Sequence, residues 1–196
     1  LTTSNSDLWD AIWSLKDHGK TWSAVNEKIH PSGFRWVHER FGSNFRMTEM
    51  QSTIGRIQLQ RMSDWSSRRI RNALALISIL KTCPVCRVPT PPPFVRHAWY
   101  KLHAYIRPEA LASGWSRDRV LREISELGYP ALSGSCSELY LESSFQNAGL
   151  SPDYRLPVAQ QLGDTSLMFL VHPTITDSQI FAYGDAVASV LYRASR

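Results

Sequence analysis

The stretch FGSNFRMTEMQSTIGRIQLQRM, residues 41–62, decides how this 196-residue chain is read. Thr48 and Gln51 have the spacing of a capping box, so a helix starts directly after Thr48. Met50, Ile54 and Ile57 recur at helical intervals, while Ser52 and Gly55 leave room for another backbone to approach. Asn44 and Arg46 stand at the entrance of that helix. There an amide, a guanidinium and the first free N–H groups of the helix can together hold an anion. The same two residues serve equally as a turn asparagine and a surface ion pair, and spacing alone leaves both readings open. The apolar stripe on helix 49–62 is expected to promote self-association when nothing covers it.

Upstream, SDLWDAIWSLKDHG (residues 6–19) reads as a helix capped by Ser6 or Asp7. Leu8, Ile12 and Leu15 form its apolar stripe, and Gly19 ends it. Residues 20–43 carry no clean period and read as one long loop. Downstream of helix 49–62 a second helix is expected from about Asp64 to Leu80, with Ile70, Leu74 and Ile77 on one face. A kink near Ser63 would join the two as a packed pair. The proline-rich PTPPPFVR (residues 89–96) then reads as a linker. Two parts follow from this: 1–88, the end of a larger domain that includes the helix pair, and 89–196, a small C-terminal domain.

The C-terminal part alternates strand and helix. HAWYKLHAYIR, YPALS and SLMFLVHP read as strands. SRDRVLREISELG, LPVAQQLG and TDSQIFAYGDAVASVLYRAS read as helices. The class is α/β, with this part forming a small α+β sandwich whose helices lie on one face of the sheet.

Composition bounds the chemistry. Hydrophobic residues make up 43% of the chain, enough for a real core. The formal net charge of +5, mostly arginine, suits anionic partners and equally suits a solvated basic surface. Cys83-Pro-Val-Cys86 stands without the second ligand pair that zinc needs. It also lacks the strand-then-helix setting of a redox pair. No metal is expected. No apolar run approaches the roughly 20 residues of a membrane span, and no leader pattern opens the chain, so a cytoplasmic protein with no membrane partner is expected. Arg68–Arg71 (RRIR) has no interleaved aromatics, which argues against nucleic acid. His172, at the end of a very apolar strand, and Lys101, inside one, are weaker candidates for chemistry than for packing or snorkelling. The polar run SGSCSELY (residues 133–140) either lines a pocket or forms a turn.

The 41–62 stretch resembles the G-x-N-x-R-M-T-E-x-Q-A-A-I-G-x-x-Q-L-x-R signature of the DegT/DnrJ/StrS aminotransferases, pyridoxal-phosphate enzymes that aminate keto-sugar nucleotides. LTTSNSDLWDAIWSLKDHGK resembles the family segment that follows the cofactor-bearing lysine. HAWYKLHAYIRPE, SGSCSELYLESSF and RLPVAQQLGDTSLMFLVHPTIT resemble the small C-terminal domain of one branch. The resemblance implies the C-terminal part of a fold-type I transferase whose active site lies at a homodimer interface. It carries over Asn44 as the residue that reaches the cofactor phosphate of the neighbouring subunit, with Arg46 as the next anion ligand. Ser133 and Ser135 of the polar run, with His172 after the apolar strand, are the substrate-binding candidates.

This sequence departs from the family in three ways. Ser52 and Thr53 stand where alanines are usual. SGSCS replaces the His-Tyr pair of other branches. The lysine that carries the cofactor is expected before Leu1, for the five lysines Lys16, Lys20, Lys28, Lys81 and Lys101 lack its small-residue context. Leu1 is not a start methionine, and the chain is expected to have been cut from a longer one. The expectation is therefore the C-terminal portion of an aminotransferase that moves an amino group from glutamate to a keto-sugar nucleotide for polysaccharide synthesis. No catalytic residue is assigned, and the chain is expected to be inactive alone, with a homodimer or its missing N-terminal half as partner. The alternative is a non-catalytic dimerisation or ligand-sensing module of the same descent.

Overall fold

The computed structural model describes residues 2–30, 32 and 36–196. The chain packs as two compact units, Leu1–Gln60 and Arg61–Arg196.

In the first unit, α1 (Ser6–Lys16) is capped by Asn5, whose side chain accepts from the Leu8 N–H at 2.8 Å. The cap is therefore one residue before Ser6 and two before Asp7. Leu8 and Leu15 of the expected apolar stripe stay about half exposed. The packed side of α1 is aromatic instead: Trp9 stacks on Trp13 at 5.5 Å, and Trp22 meets both rings edge-on. Trp22 opens a short helix, α2 (Trp22–Asn26), inside the stretch expected as loop. Thr21 makes that helix possible. Its hydroxyl oxygen accepts from the Ala24 N–H and its O–H donates to Glu39 at 2.7 Å. Five residues are too few to show a period, so the cap is the whole signal.

The capping box at Thr48 is present in both directions: the Thr48 N–H donates to the Gln51 side chain at 2.9 Å, and the Gln51 N–H donates back to the Thr48 hydroxyl at 3.3 Å. From it runs α3 (Glu49–Leu80), 32 residues long. The expected pair of helices with a kink near Ser63 is one unbroken helix. No proline or glycine lies between Arg56 and Leu80. The Ser67 hydroxyl bonds back to the Ser63 carbonyl at 3.0 Å without interrupting the ladder.

The second unit holds the far end of α3, then β1 (Cys86–Arg87), β2 (Leu102–Ile106), α4 (Arg117–Glu126), β3 (Ala131–Leu132), α5 (Ser143–Asn147), α6 (Pro157–Thr165), β4 (Ser166–Phe169) and α7 (Asp177–Arg193). The strands form one antiparallel sheet in the order β1-β2-β4-β3. In its register Leu102 faces Phe169 and His103 faces Met168. Strand β1, two residues long, was not expected from the sequence. It follows the turn that Cys83-Pro-Val-Cys86 makes, where the Cys86 N–H donates to the Cys83 carbonyl at 3.0 Å.

Alternation in β2 divides the sheet. Leu102, Ala104 and Ile106 are buried, while His103 and Tyr105 between them are only half-buried. The buried side joins a core with Leu76 and Leu80 of α3, Ile124 of α4, and Val187 and Leu191 of α7. Each such side chain contributes about 1.5–3 kcal/mol by leaving water. Helices thus cover one face, as an α+β sandwich requires.

One buried polar residue ties this core together. Asn72, 2% exposed, donates from Nδ2 to the carbonyls of His172 (3.0 Å) and Ile175 (3.4 Å), holding the turn after β4 against α3. Asn72→Ala leaves those carbonyls without a donor. It is expected to destabilise the protein by about 1–3 kcal/mol, read as a lower denaturation midpoint with unchanged denaturant slope.

Candidate functional site

The end of α1 and the segment before α3 interlock through backbone. His18 and Gly19 both adopt positive φ (58° and 88°), which turns the chain sharply after Asp17. Residues 42–45 then lie along this turn. The His18 N–H donates to the Ser43 carbonyl at 3.1 Å, the Ser43 N–H to Leu15 at 2.8 Å, and the Phe45 N–H to Lys16 at 3.0 Å. Asp17 and Asn44 form a bridge. Contact is so close that a Cβ on Gly42 would stand 2.3 Å from the Gly19 nitrogen, and one on Gly19 would stand 1.6 Å from the Arg40 carbonyl oxygen.

This interlock places Asn44 and Arg46 in contact. The Asn44 Oδ1 accepts from Arg46 Nε at 3.1 Å and from the Arg46 backbone N–H at 3.3 Å. One Asp17 oxygen is shared by Arg46 (3.3 Å) and Lys20 (3.4 Å), so two cations face one carboxylate. The far guanidinium nitrogen of Arg46 donates to His18 Nε2 at 3.5 Å. Since Asn44 Oδ1 is occupied by donors, the amide is oriented. Its Nδ2 has no partner among the described residues and lies in an exposed segment. An oriented amide donor beside surplus positive charge fits an anionic oxygen group such as a phosphate.

Ser133 and Ser135 lie elsewhere, on the second unit. They flank a cavity of about 380 Å³ whose lining also includes Arg117, Glu138 and Asp164. Ser135 also borders a larger cavity of about 510 Å³ beside Lys101, His103 and Tyr105 of the sheet and Leu162 of α6. The Ser166 hydroxyl donates to the Ser133 carbonyl, joining the serine loop to β4. His172 is not part of this group. Its Nδ1 pairs with the Thr174 hydroxyl at 2.7 Å, it is exposed, and it borders neither serine cavity.

A buried acid anchors the end of the serine loop. Glu138, 8% exposed, accepts from Arg155 Nε at 2.9 Å and from the Tyr140 hydroxyl at 2.6 Å. The Arg155 guanidinium first, and the Tyr140 hydroxyl second, hold its carboxyl down to about 2. The sequence offered no sign of this pairing: the partners are 17 residues apart and share no motif. Cys83 and Cys86 are both buried, and burial pushes the Cys86 thiol up to about 12, so it stays protonated at neutral pH. No described helix is long and apolar enough to cross a membrane.

The model of one protein family, the DegT/DnrJ/EryC1/StrS aminotransferase family, matches residues 1–187. The chain belongs to that family. It is 28% identical over 176 residues to the erythromycin biosynthesis sensory transduction protein EryC1 of Saccharopolyspora erythraea, covering 90% of this chain and 42% of the relative. It is 25% identical to the dTDP-3-amino-3,4,6-trideoxy-alpha-D-glucose transaminase of Streptomyces venezuelae, over 95% of this chain and 44% of that one. Its fold is similar to the crystal structure of an aminotransferase from Psychrobacter cryohalolentis, with a TM-score of 0.91 and 48% identity over 98% of this chain and 51% of that one. The chain spans about half the length of the curated relatives it matches. The aminotransferase fold over about half of each solved chain is what a C-terminal portion of that fold gives.

Two predictions follow from the geometry of this family member. Gly42→Ala must push the 42–45 segment off α1, a cost of about 1–3 kcal/mol. Hydrogen exchange at the Ser43 and Phe45 amides is expected to speed up roughly 10- to 100-fold, with amides of the second unit unchanged. The second concerns acid. Glu138 has its carboxyl lowered from 4.5 to about 2, so its stabilising effect is complete above pH 4.5 and is lost as pH falls toward 2. Glu138→Gln is expected to remove that part of the acid sensitivity, seen as a flatter dependence of thermal midpoint on pH in this window.

Proposed function

We propose that the protein takes part in transferring an amino group from glutamate to a keto-sugar nucleotide used in polysaccharide synthesis, in the cytoplasm. The supporting observation is the placement of the G-x-N-x-R segment. Asn44 is oriented by Arg46, which is anchored on Asp17, and its Nδ2 is left as a donor without a described partner. The family relationship and the transaminase named among its relatives support the reaction class.

In this reading the cofactor is pyridoxal phosphate, which when bound supplies the carbonyl carbon that takes up the amino group. The residues present suit its phosphate. Asn44 donates a hydrogen bond to a phosphate oxygen, Arg46 fixes the amide and adds positive charge, and Lys20 keeps Asp17 from repelling the anion. The phosphate belongs to a neighbouring subunit in a homodimer. Exposed Phe45, Met47, Met50 and Ile54 beside Asn44 offer that subunit an apolar surface. Residues 1–88 close the cofactor-binding domain, and residues 89–196 form the small domain over the substrate, with Ser133, Ser135 and His172 as substrate-side residues. The lysine that carries the cofactor comes from outside residues 1–196, so this chain alone is inactive.

The test is binding. In the full natural protein, freed of cofactor, Asn44→Ala is expected to weaken pyridoxal phosphate at least about tenfold, since a hydrogen bond to a charged group contributes about 1.5–3 kcal/mol. Pyridoxal, which lacks the phosphate, should bind both forms alike. Equal affinity of wild type and variant for pyridoxal phosphate, followed by absorbance titration, contradicts the assignment.

A further inference from the structure

The half-buried side of β2 borders a cavity of about 510 Å³, within the size range of small-molecule sites. The alternation of β2 explains its lining. Leu102, Ala104 and Ile106 turn into the core, so Lys101, His103 and Tyr105 border the cavity. Lys101 is half-buried and makes no ion pair among the described residues; its ammonium lies 5.7 Å from the Tyr100 ring centre. Among the described residues that line the cavity, none is Asp or Glu. A half-buried cation facing a cavity with no carboxylate lacks its counter-charge.

The other polar groups are arranged to donate. His97 Nδ1 accepts from the Trp99 N–H at 2.9 Å, so in the neutral ring the proton is on Nε2. Its ring lies 4.2 Å from that of Trp99, which also borders the cavity. Ser135 and Ser137 add hydroxyls from the loop. Gly134, at φ 90°, lets that loop rest on His103, where a Cβ would come within 2.8 Å of the ring. Burial first, and Lys101 second, lower the pKa of His103, so its ring adds hydrogen-bonding capacity rather than charge.

We propose that this cavity receives an anionic oxygen group of the sugar-nucleotide ligand, and that Lys101 is the specificity-determining cation that pairs with it. The inference rests on the sugar-nucleotide reading above. The anion is either a carboxylate on the sugar or the diphosphate, and both meet the same ammonium and hydroxyl donors. Trp99 and Leu162 give the sugar ring an apolar wall.

The experiment is calorimetric titration of the full natural protein with UDP, UDP-glucose and UDP-glucuronate, for wild type, Lys101→Met and Lys101→Arg. Lys101→Met is expected to lose at least tenfold in affinity, and Lys101→Arg to recover most of it. A loss confined to UDP-glucuronate identifies the sugar carboxylate; an equal loss for all three identifies the diphosphate. The inference is overturned if Lys101→Met, shown folded by its unchanged thermal midpoint, binds all three like wild type, or if wild type binds none. Unchanged sugar-nucleotide binding together with an Asn44-dependent phosphate effect would sink this inference alone. A Lys101 effect without the Asn44 effect would sink the cofactor assignment alone.

Discussion

At the end of α1, two stretches of backbone occupy the space that side chains would otherwise need. Gly19 turns the chain with positive φ directly under the Arg40 carbonyl, and Gly42 crosses the Gly19 nitrogen. Only residues without a Cβ permit that approach. The hydrogen bonds it allows, from Ser43 and Phe45 back to Leu15 and Lys16, fix the rise of the chain into α3. Asn44 is oriented as a result. Arg46, paired with Asp17, donates to the Asn44 carbonyl oxygen, and the Asn44 Nδ2 is left without a partner among the described residues. The glycine of the signature is therefore structural, and the orientation of the asparagine depends on it.

The second unit solves a different problem with the same economy. The side of the four-stranded antiparallel sheet away from the main core carries polar residues of β2 and β4, which share a cavity with the serine loop and Leu162 of α6. The Glu138–Arg155–Tyr140 network anchors the end of that loop. Arg117 braces the same region by donating to the carbonyls of Gly163 and Ser166 at 2.9 and 3.1 Å, which ties the start of α4 to the α6–β4 junction. Among the described residues, the buried or half-buried charges here have partners, with Lys101 as the exception that the ligand is proposed to complete.

Much of this was legible in residue order. Strong local signals carried through: the Thr48 capping box and the strand–helix alternation after residue 97. What failed was local too, but weaker. Ser63-Asp64 suggested a helix break, yet neither residue removes a backbone hydrogen bond, and the helix continues. Helix α2 is too short to show a period, and β1 is two residues long. The braces of the site, Asp17 on Arg46 and Glu138 on Arg155, join residues 29 and 17 positions apart. Such pairs arise from topology and leave no pattern in a single sequence. His172 stands after an apolar strand, and its backbone carbonyl accepts from the Asn72 side chain 100 positions away in sequence.

The central claim is that the oriented Asn44 amide meets a phosphate. It is tested most directly by a crystal structure of the full natural protein grown with pyridoxal phosphate. The account predicts Asn44 Nδ2 within about 3 Å of a phosphate oxygen, the distance of a charge-assisted hydrogen bond, with the phosphate held in a neighbouring subunit. A bound cofactor whose phosphate is served entirely by other residues, with Asn44 facing solvent, would contradict it.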